Sequence, residues 1–187
     1  GWVTNLFQRG SASMTRLLEL LDAVPAVLDP PHPGGLPRHT GGRSVEFRNV
    51  SFAYPARDGA APRQVLRNVS FVIPAGGTLG VVGATGAGKS ALLELLPRFF
   101  DPQSGQVLLD GVDVRALSLA ALRAEIGFVP QDALLFSDTI AQNLAYGGGT
   151  AETARWATEV AQLAGSLDRF ADGEQTMLGE RGINLSG

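Results

Sequence analysis

Residues 83 to 90 read Gly83-Ala84-Thr85-Gly86-Ala87-Gly88-Lys89-Ser90, which fits the pattern G-x-x-x-x-G-K-S/T at every position. A short apolar, β-branched run at residues 78–82 precedes this stretch, and a segment with four leucines follows it: Leu92, Leu93, Leu95 and Leu96. This order predicts a strand, a glycine-rich loop and a helix. Because β-rich sequence surrounds the loop and helical sequence dominates after residue 131, we predict an α/β fold.

Each residue type in the loop suits the binding of linked phosphates. Glycines 83, 86 and 88 allow backbone N–H groups to turn inward around an anion, and the following helix adds its own N–H groups. Lys89 places positive charge between β- and γ-phosphates, and the Ser90 hydroxyl is suited to bind Mg²⁺. The predicted phosphate site comprises Gly83, Ala84, Thr85, Gly86, Ala87, Gly88, Lys89, Ser90 and Ala91.

The loop alone leaves GTPases, small-molecule kinases and ATPases open. Lys89 is the only lysine of the chain, so the Asn-Lys-x-Asp segment that normally reads guanine is absent from the sequence. The formal net charge of -3 provides no basic field for a nucleic acid, and the lack of cysteine removes disulfides and thiolate metal sites. Guanine specificity is therefore disfavoured, and we expect no nucleic-acid partner.

The remaining sequence predicts three regions. Apolar residues at helical spacing, with Met14, Leu17, Leu18 and Leu21 on one face, predict an amphipathic helix that ends before Pro25. A Pro/Gly-rich stretch then indicates a linker. We predict the boundaries 1–28 for the helical region, 29–43 for a flexible linker and 44–187 for the main domain. Within the domain, strands are expected at 45–52, 65–73, 106–109 and 126–129, and helices at 119–123 and 150–164.

Segments on both sides of the loop resemble the nucleotide-binding domain of ABC transporters, specifically the exporter type. Residues 50–55, Val-Ser-Phe-Ala-Tyr-Pro, resemble the adenine-stacking segment of that family, and Tyr54 is the matching aromatic residue. Residues 128–132, Phe-Val-Pro-Gln-Asp, are similar to its Q-loop. The resemblance implies that Gln131 binds Mg²⁺ and orients the attacking water. The local sequence alone also allows a packed tyrosine and a solvated glutamine.

Two segments near the end of the chain extend the resemblance. Residues 179–182, Gly-Glu-Arg-Gly, are similar to the segment that contacts the coupling helices of the membrane domains, although an exposed charged turn fits the same residues. Residues 185–187, Leu-Ser-Gly, match the first three residues of the family signature L-S-G-G-Q. The resemblance implies that Ser186 binds the γ-phosphate held by the opposite subunit.

The resemblance implies a P-loop NTPase core with an antiparallel β subdomain and a partial helical subdomain, preceded by an amphipathic linker helix. ATP and Mg²⁺ are the implied cofactors, and the implied catalytic residues are Lys89, Gln131 and Ser186. The implied partners are a second ABC nucleotide-binding domain, identical or different, and transmembrane domains in the same polypeptide. The implied location is the cytoplasmic face of the inner (plasma) membrane, and the Arg-rich composition favours a bacterial source.

The end of the chain limits the expected activity. It stops within the signature, and the family's acidic strand, catalytic glutamate and switch histidine follow that motif; His32 and His39 precede the domain. We expect ATP hydrolysis from the intact protein, and binding of Mg-ATP without hydrolysis from these 187 residues. The alternatives are a soluble ATPase of the same superfamily and a P-loop kinase of a small metabolite. A kinase needs lid arginines, for which the candidates are Arg98, Arg115 and Arg123.

Overall fold

The computed structural model describes residues 1–38, 40–55, 62–132, 134–167 and 169–179. The chain divides into two compact units, Gly1–Gly127 and Phe128–Gly187. The first unit contains a β-sheet and the glycine-rich loop, and the regular elements of the described part of the second unit are short helices joined by irregular segments. Among the described residues, the α-helices are α1 Trp2–Leu21, α2 Lys89–Leu95, α3 Leu119–Ala124, α4 Ile140–Ala145, α5 Ala151–Val160 and α6 Ala164–Leu167, and two 3₁₀-helices span Val114–Ala116 and Gly173–Gln175.

The sheet of the first unit has four antiparallel strands in the order β2-β1-β3-β4. Its strands are β1 Val45–Tyr54, β2 Arg63–Ile73, β3 Ser104–Leu109 and β4 Val112–Asp113. Strand β1 lies in the centre and pairs with both β2 and β3. It is rich in apolar and aromatic residues, which favour strands because their side chains pack on a pleated surface. This sheet is the predicted antiparallel β subdomain.

The core of the first unit lies between this sheet and the short helices. Phe52 and Val50 of β1 are fully buried, and so are Leu95 of α2 and Leu122 of α3. Helix α2 therefore directs one apolar face into the core while Leu93, on the opposite face, is exposed. The burial of Leu95 anchors the helix that follows the glycine-rich loop.

Arg43 joins three parts of the first unit. Its guanidinium donates to Asp110 Oδ2 at 2.6 Å, to Glu125 Oε2 at 2.9 Å and to the carbonyl of Pro37 at 3.0 Å. Asp110 also accepts the backbone N–H of Ser44 at 2.8 Å. The bond from Arg43 and the bond from Ser44 hold the pKa of Asp110 below its ordinary value.

The segment before the sheet is held by further hydrogen bonds. Asp29 Oδ1 accepts the backbone N–H of Leu119 at 2.7 Å, at the start of α3. The N–H of Gly34 donates to the carbonyl of Ala116 at 2.7 Å, and Arg98 Nη2 lies 3.4 Å from the carbonyl of Leu28. Several points of the predicted linker thus contact the sheet unit.

Helix α1 exposes its apolar face. Met14, Leu17, Leu18 and Leu21, predicted to share that face, are each about half exposed or more. The helix therefore does not bury these four side chains against the rest of the chain. No helix in the described residues combines the length and the apolar character needed to cross a lipid bilayer.

The second unit has a small core of its own, formed by Ile140, Leu167 and Leu178. Helix α4 begins after Thr139, whose hydroxyl accepts the N–H of Gln142, and α5 begins after Thr150 in the same way. The predicted start of α5 at residue 150 is therefore close to the observed one. The predicted end of that helix near residue 164 is wrong. Gln162 adopts a left-handed φ of 57°, which ends the helix at Val160.

Two predicted strands are absent from the described residues. Residues 78–82 and 126–129 have the apolar, β-branched composition of strands, but neither segment forms one. A strand requires a neighbour that satisfies its backbone N–H and C=O groups, and composition alone does not supply one. Val82 and Val129 are accordingly more than 90% exposed, at 93% and 91%.

Candidate nucleotide-binding site

The glycine-rich loop packs closely on strand β2. Gly88 immediately precedes α2, is buried, and has a φ of 96°, which only glycine adopts readily. A Cβ at this position would lie 2.9 Å from Leu66 Cδ2 and 3.0 Å from Val65 Cγ1. The glycine is therefore required both by the turn into α2 and by the close approach of β2.

The side chain of Lys89 folds back over the loop. Its ammonium donates to the carbonyl of Gly83 at 2.8 Å and to the carbonyl of Ala84 at 2.9 Å. The carbonyl of Ala84 also accepts the N–H of Ala87 at 3.2 Å, which closes a tight turn. Phosphate oxygens have the same hydrogen-bonding character as these carbonyls, with more negative charge. The lysine is thus held where an anion in the loop would meet it.

The loop borders a cavity of about 250 Å³. The structure brings Tyr54 of β1 to this cavity together with Lys89 and Ser90, so predicted site residues from two separate segments share one space. The full lining consists of Tyr54, Arg63, Val65, Gly86, Gly88, Lys89, Ser90 and Ala91.

Two other cavities of the described residues are larger. One of about 380 Å³ lies in the second unit beside Thr158 and Phe170, and one of about 540 Å³ lies beside Arg43 and Leu36. Volume favours these two, but neither has a glycine-rich loop followed by a lysine and a hydroxyl. The chemistry of the lining therefore selects the smaller cavity as the candidate site.

Tyr54 is fixed by polar and aromatic contacts. Its hydroxyl donates to Glu94 Oε2 on α2 at 2.7 Å. Its ring makes edge contacts with Phe52 and Phe100, at centroid distances of 4.9 and 5.3 Å. Burial, followed by the hydrogen bond to Glu94, raises the pKa of Tyr54 to about 12. The ring is thus held in a defined orientation beside the cavity.

Gln103 supports the same end of β1. Its side-chain amide donates to the carbonyl of Ala53 at 2.7 Å, and its side-chain oxygen accepts the N–H of Ala53. Both backbone groups of the residue before Tyr54 are thereby satisfied by one side chain. The position of Tyr54 is therefore set by the sheet, by Gln103 and by α2.

The other predicted site residues lie in the second unit. Gln131 is exposed there, in a segment without regular structure, and its proposed binding of Mg²⁺ stays a prediction. Ser186, Glu180 and Arg181 lie outside the described residues. Within the described ranges, no three His, Cys, Asp or Glu side chains group together as a metal site. The role of the Ser90 hydroxyl as a ligand for Mg²⁺ likewise stays a prediction.

The three arginines considered for a kinase lid are engaged elsewhere. Arg98 pairs with Asp101 at 2.8 Å, and Arg115 pairs with Asp113 at 2.8 Å. Arg123 donates to the carbonyls of Pro97 and Arg98, in the turn that follows α2, at 3.0 and 3.1 Å. None of the three lines the loop cavity. The arrangement therefore gives no support to a kinase lid.

Two residues near the cavity were not predicted from the sequence. Arg63 lines the cavity, and Glu94 accepts the hydrogen bond of Tyr54. Neither belongs to a recognisable motif. The pairing of β1 with β2 could have identified Arg63. In a hairpin whose first strand ends at Tyr54, the first residue of the second strand lies next to Tyr54. Glu94 lies four residues after Ser90, one helical turn beyond the loop.

Comparisons with known proteins bear on the fold and the family of the chain. The family model described as ABC transporter matches residues 66–187. The ATP-dependent lipid A-core flippase of Syntrophus aciditrophicus is 40% identical over 189 residues, covering 99% of this chain and 30% of the relative. The multidrug efflux ATP-binding/permease protein of Mycobacterium bovis is 43% identical over 182 residues, covering 96% of this chain and 15% of the relative. The chain therefore spans less than a third of the length of these relatives.

A solved structure described as a bacterial Atm1-family ABC exporter with ATP bound is also similar. It aligns with a TM-score of 0.81 at 39% identity and covers 100% of this chain and 32% of that one. The predicted fold class and the resemblance to an exporter's nucleotide-binding domain are thereby confirmed. From the match of the family model to residues 66–187 and from these relatives, we conclude that the chain belongs to the ABC transporter family.

Proposed function

We propose that this chain is the ATP-binding domain of an ABC exporter and that it binds Mg-ATP in the cavity beside the glycine-rich loop. Adenine stacks on Tyr54, and the phosphates lie in the loop against Lys89. The observation that carries the proposal is that Tyr54, Lys89 and Ser90, from two distant segments, line the same cavity of about 250 Å³. The similar exporter structure described as having ATP bound supports the choice of nucleotide.

The residues present fit a magnesium ion. The Ser90 hydroxyl is exposed at the cavity, and hydroxyl and amide oxygens are ligands that Mg²⁺ accepts. We assign this role to Ser90 and Gln131. When bound, the ion supplies positive charge that neutralises the charge developing on the phosphates. The part played by the chain itself is to hold the phosphates through its loop N–H groups and Lys89.

In the whole transporter, we propose that ATP binding and hydrolysis drive export of a substrate. Two nucleotide-binding domains close on two ATP molecules, with Ser186 of each facing the γ-phosphate held by the other, and hydrolysis opens them again. The transmembrane domains belong to the same polypeptide, and the domain lies at the cytoplasmic face of a bacterial inner membrane. Residues 1–28 then form the connection to the membrane part, 29–43 the linker and 44–187 the ATP-binding domain. The exposed apolar face of α1 supports a partner at that end of the chain.

The test of the proposed site is nucleotide binding by the 187-residue chain and its Lys89→Ala variant, measured by titration calorimetry with Mg-ATP. Hydrogen bonds to charged groups contribute about 1.5 to 3 kcal/mol, so Lys89→Ala is expected to raise the Kd at least tenfold. Arg9→Ala, which removes an exposed cation of α1 instead, serves as the control. Equal Kd values for the wild type and Lys89→Ala would contradict the assignment of the phosphate site.

Hydrolysis is tested separately by release of inorganic phosphate. For the polypeptide of residues 1–187 we expect binding without steady turnover, because no Asp, Glu or His among the described residues lines the loop cavity, where a general base would be needed. A turnover rate that Lys89→Ala abolishes would contradict this expectation while leaving the binding site intact.

A further inference from the structure

Arg63 is placed by the sheet at the same end of the cavity as Tyr54. It is the first residue of β2, and its partner in the antiparallel pairing is Tyr54, the last residue of β1. Directly paired residues project their side chains to the same face of a sheet, with Cβ atoms about 5 Å apart. Both side chains line the cavity that also contains Lys89. Arg63 is thus a second cation in this space, contributed by a different element.

The guanidinium of Arg63 offers N–H donors at the edge of the cavity. Its side chain is exposed and shows no hydrogen bond or ion pair with any described residue. Arg43, Arg48, Arg98 and Arg115 of the same unit are all paired with carboxylates. A guanidinium that borders an anion site and has no partner among the described residues offers several N–H groups in a fixed plane, which suits phosphate oxygens.

We propose that Arg63 is a nucleotide-binding residue that contacts the α-phosphate of ATP. This inference rests on the proposed function, in which Tyr54 binds the base and Lys89 the β- and γ-phosphates. In a nucleoside triphosphate the α-phosphate lies between the sugar and the β-phosphate. Arg63 pairs with the residue at the base end and shares the cavity with the residue at the other end. It therefore lies where the intervening phosphate passes.

The test compares Mg-ATP binding by the wild-type chain, Arg63→Ala, Arg63→Lys and Arg67→Ala. Arg67 is the matched control, because it is an exposed arginine of the same strand that does not line the cavity. Arg63→Ala is expected to raise the Kd at least about fivefold, Arg63→Lys to restore part of the affinity, and Arg67→Ala to leave it unchanged. Unfolding temperatures measured without nucleotide verify that each variant is folded. If Arg63→Ala does not fold, the comparison uses Arg63→Lys and Arg63→Gln.

A second measurement locates the contact. Adenosine 5′-O-(1-thiotriphosphate) replaces one α-phosphate oxygen with sulfur, a poorer hydrogen-bond acceptor. The wild type is expected to discriminate against at least one diastereomer of this analogue, and Arg63→Ala is expected to lose that discrimination. An equal loss of affinity for ATP and for both diastereomers would overturn the contact to the α-phosphate.

The outcomes separate this inference from the proposed function. If the wild type binds Mg-ATP, Lys89→Ala weakens binding and Arg63→Ala behaves like Arg67→Ala, then the ATP site stands and the role of Arg63 is refuted. If the wild type binds no nucleotide, the proposed function fails, and the role of Arg63 fails with it.

Discussion

The hydroxyl of Tyr54 donates to Glu94, so the ring proposed to stack on adenine is bonded to the helix that follows the phosphate loop. One side chain therefore connects the end of β1 with α2. The base of a bound nucleotide then contacts β1 and its phosphates lie at the start of α2, and these two elements are already joined by the hydrogen bond between Tyr54 and Glu94. This connection holds the two halves of the site at a fixed spacing before any ligand arrives.

The ionisation of Tyr54 is the prediction at the scale of the residue. Its pKa is raised to about 12 by burial and by the bond to Glu94, so the folded state favours the neutral phenol. The resulting stabilisation is fully present below the ordinary tyrosine pKa of about 10, and it is lost as the pH rises through the value in the folded chain.

The chain has two tyrosines, which allows a direct measurement. In a Tyr146→Phe variant, Tyr54 is the sole source of tyrosinate absorbance, and we expect that signal to appear around pH 12. Adding Glu94→Gln should lower the midpoint, because it removes a charged acceptor of the phenol proton. A midpoint near pH 10 in the Tyr146→Phe variant would show that Tyr54 is solvated and unbonded.

At the scale of the element, the contact between β1 and β3 depends on Gly105. Its φ is 83°, and a Cβ there would collide with the backbone carbonyl oxygens of Arg48 and Asn49. These residues lie where the pairing of β1 with β3 shifts its register, between Arg48 and Ser51. The irregular part of β1 thus occupies the space that any other residue at position 105 needs.

Gly105→Ala is therefore expected to destabilise the chain more than Gly111→Ala does. Gly111 has a similar φ of 78°, but no atom lies within 4 Å of its Cβ position, so it is a matched control for backbone strain alone. The collision with β1 should add about 1 to 3 kcal/mol to the loss in the free energy of unfolding. Chemical denaturation of both variants measures the difference, and equal losses would contradict the close approach.

Elements could be predicted from the sequence where the pattern is local, and were missed where it is not. The loop, α2 and Tyr54 follow from short motifs, and β1, β2 and β3 follow from apolar patterns close to their observed bounds. Residues 78–82 and 126–129 have the same composition but no strand neighbour among the described residues. Arg63 and Glu94 enter the site through strand pairing and helix packing, which a motif does not encode.

At the scale of the whole molecule, Arg43 ties the segment before the sheet to the β3–β4 turn and the end of α3. Its bonds hold the pKa values of both Asp110 and Glu125 below their ordinary range. Carboxylates with lowered pKa values stabilise the folded state at pH values above the ordinary value of about 4. This stabilisation is lost as the pH falls through the lowered values.

The chain is therefore expected to lose stability below about pH 4, and Arg43→Ala should reduce that dependence. Arg48→Ala is the control, because it removes an ion pair to Glu46 that is confined to β1 and largely exposed. Denaturant unfolding near neutral pH and at about pH 3 measures the effect. A pH dependence that is the same in Arg43→Ala and in the wild type would contradict the role of this cluster.

The folded-back Lys89 has a consequence for how the chain selects its ligand. The carbonyls of Gly83 and Ala84 already serve as acceptors for the Lys89 ammonium group within the loop itself. Any incoming anion must compete with these internal acceptors, and it gains only the difference between the two sets of bonds. A small anion such as chloride offers little advantage in that exchange, whereas a polyphosphate offers many charged oxygens at once. The carbonyls of Gly83 and Ala84 thereby compete with any anion for the Lys89 ammonium group, which lowers the affinity of the loop for weak anions.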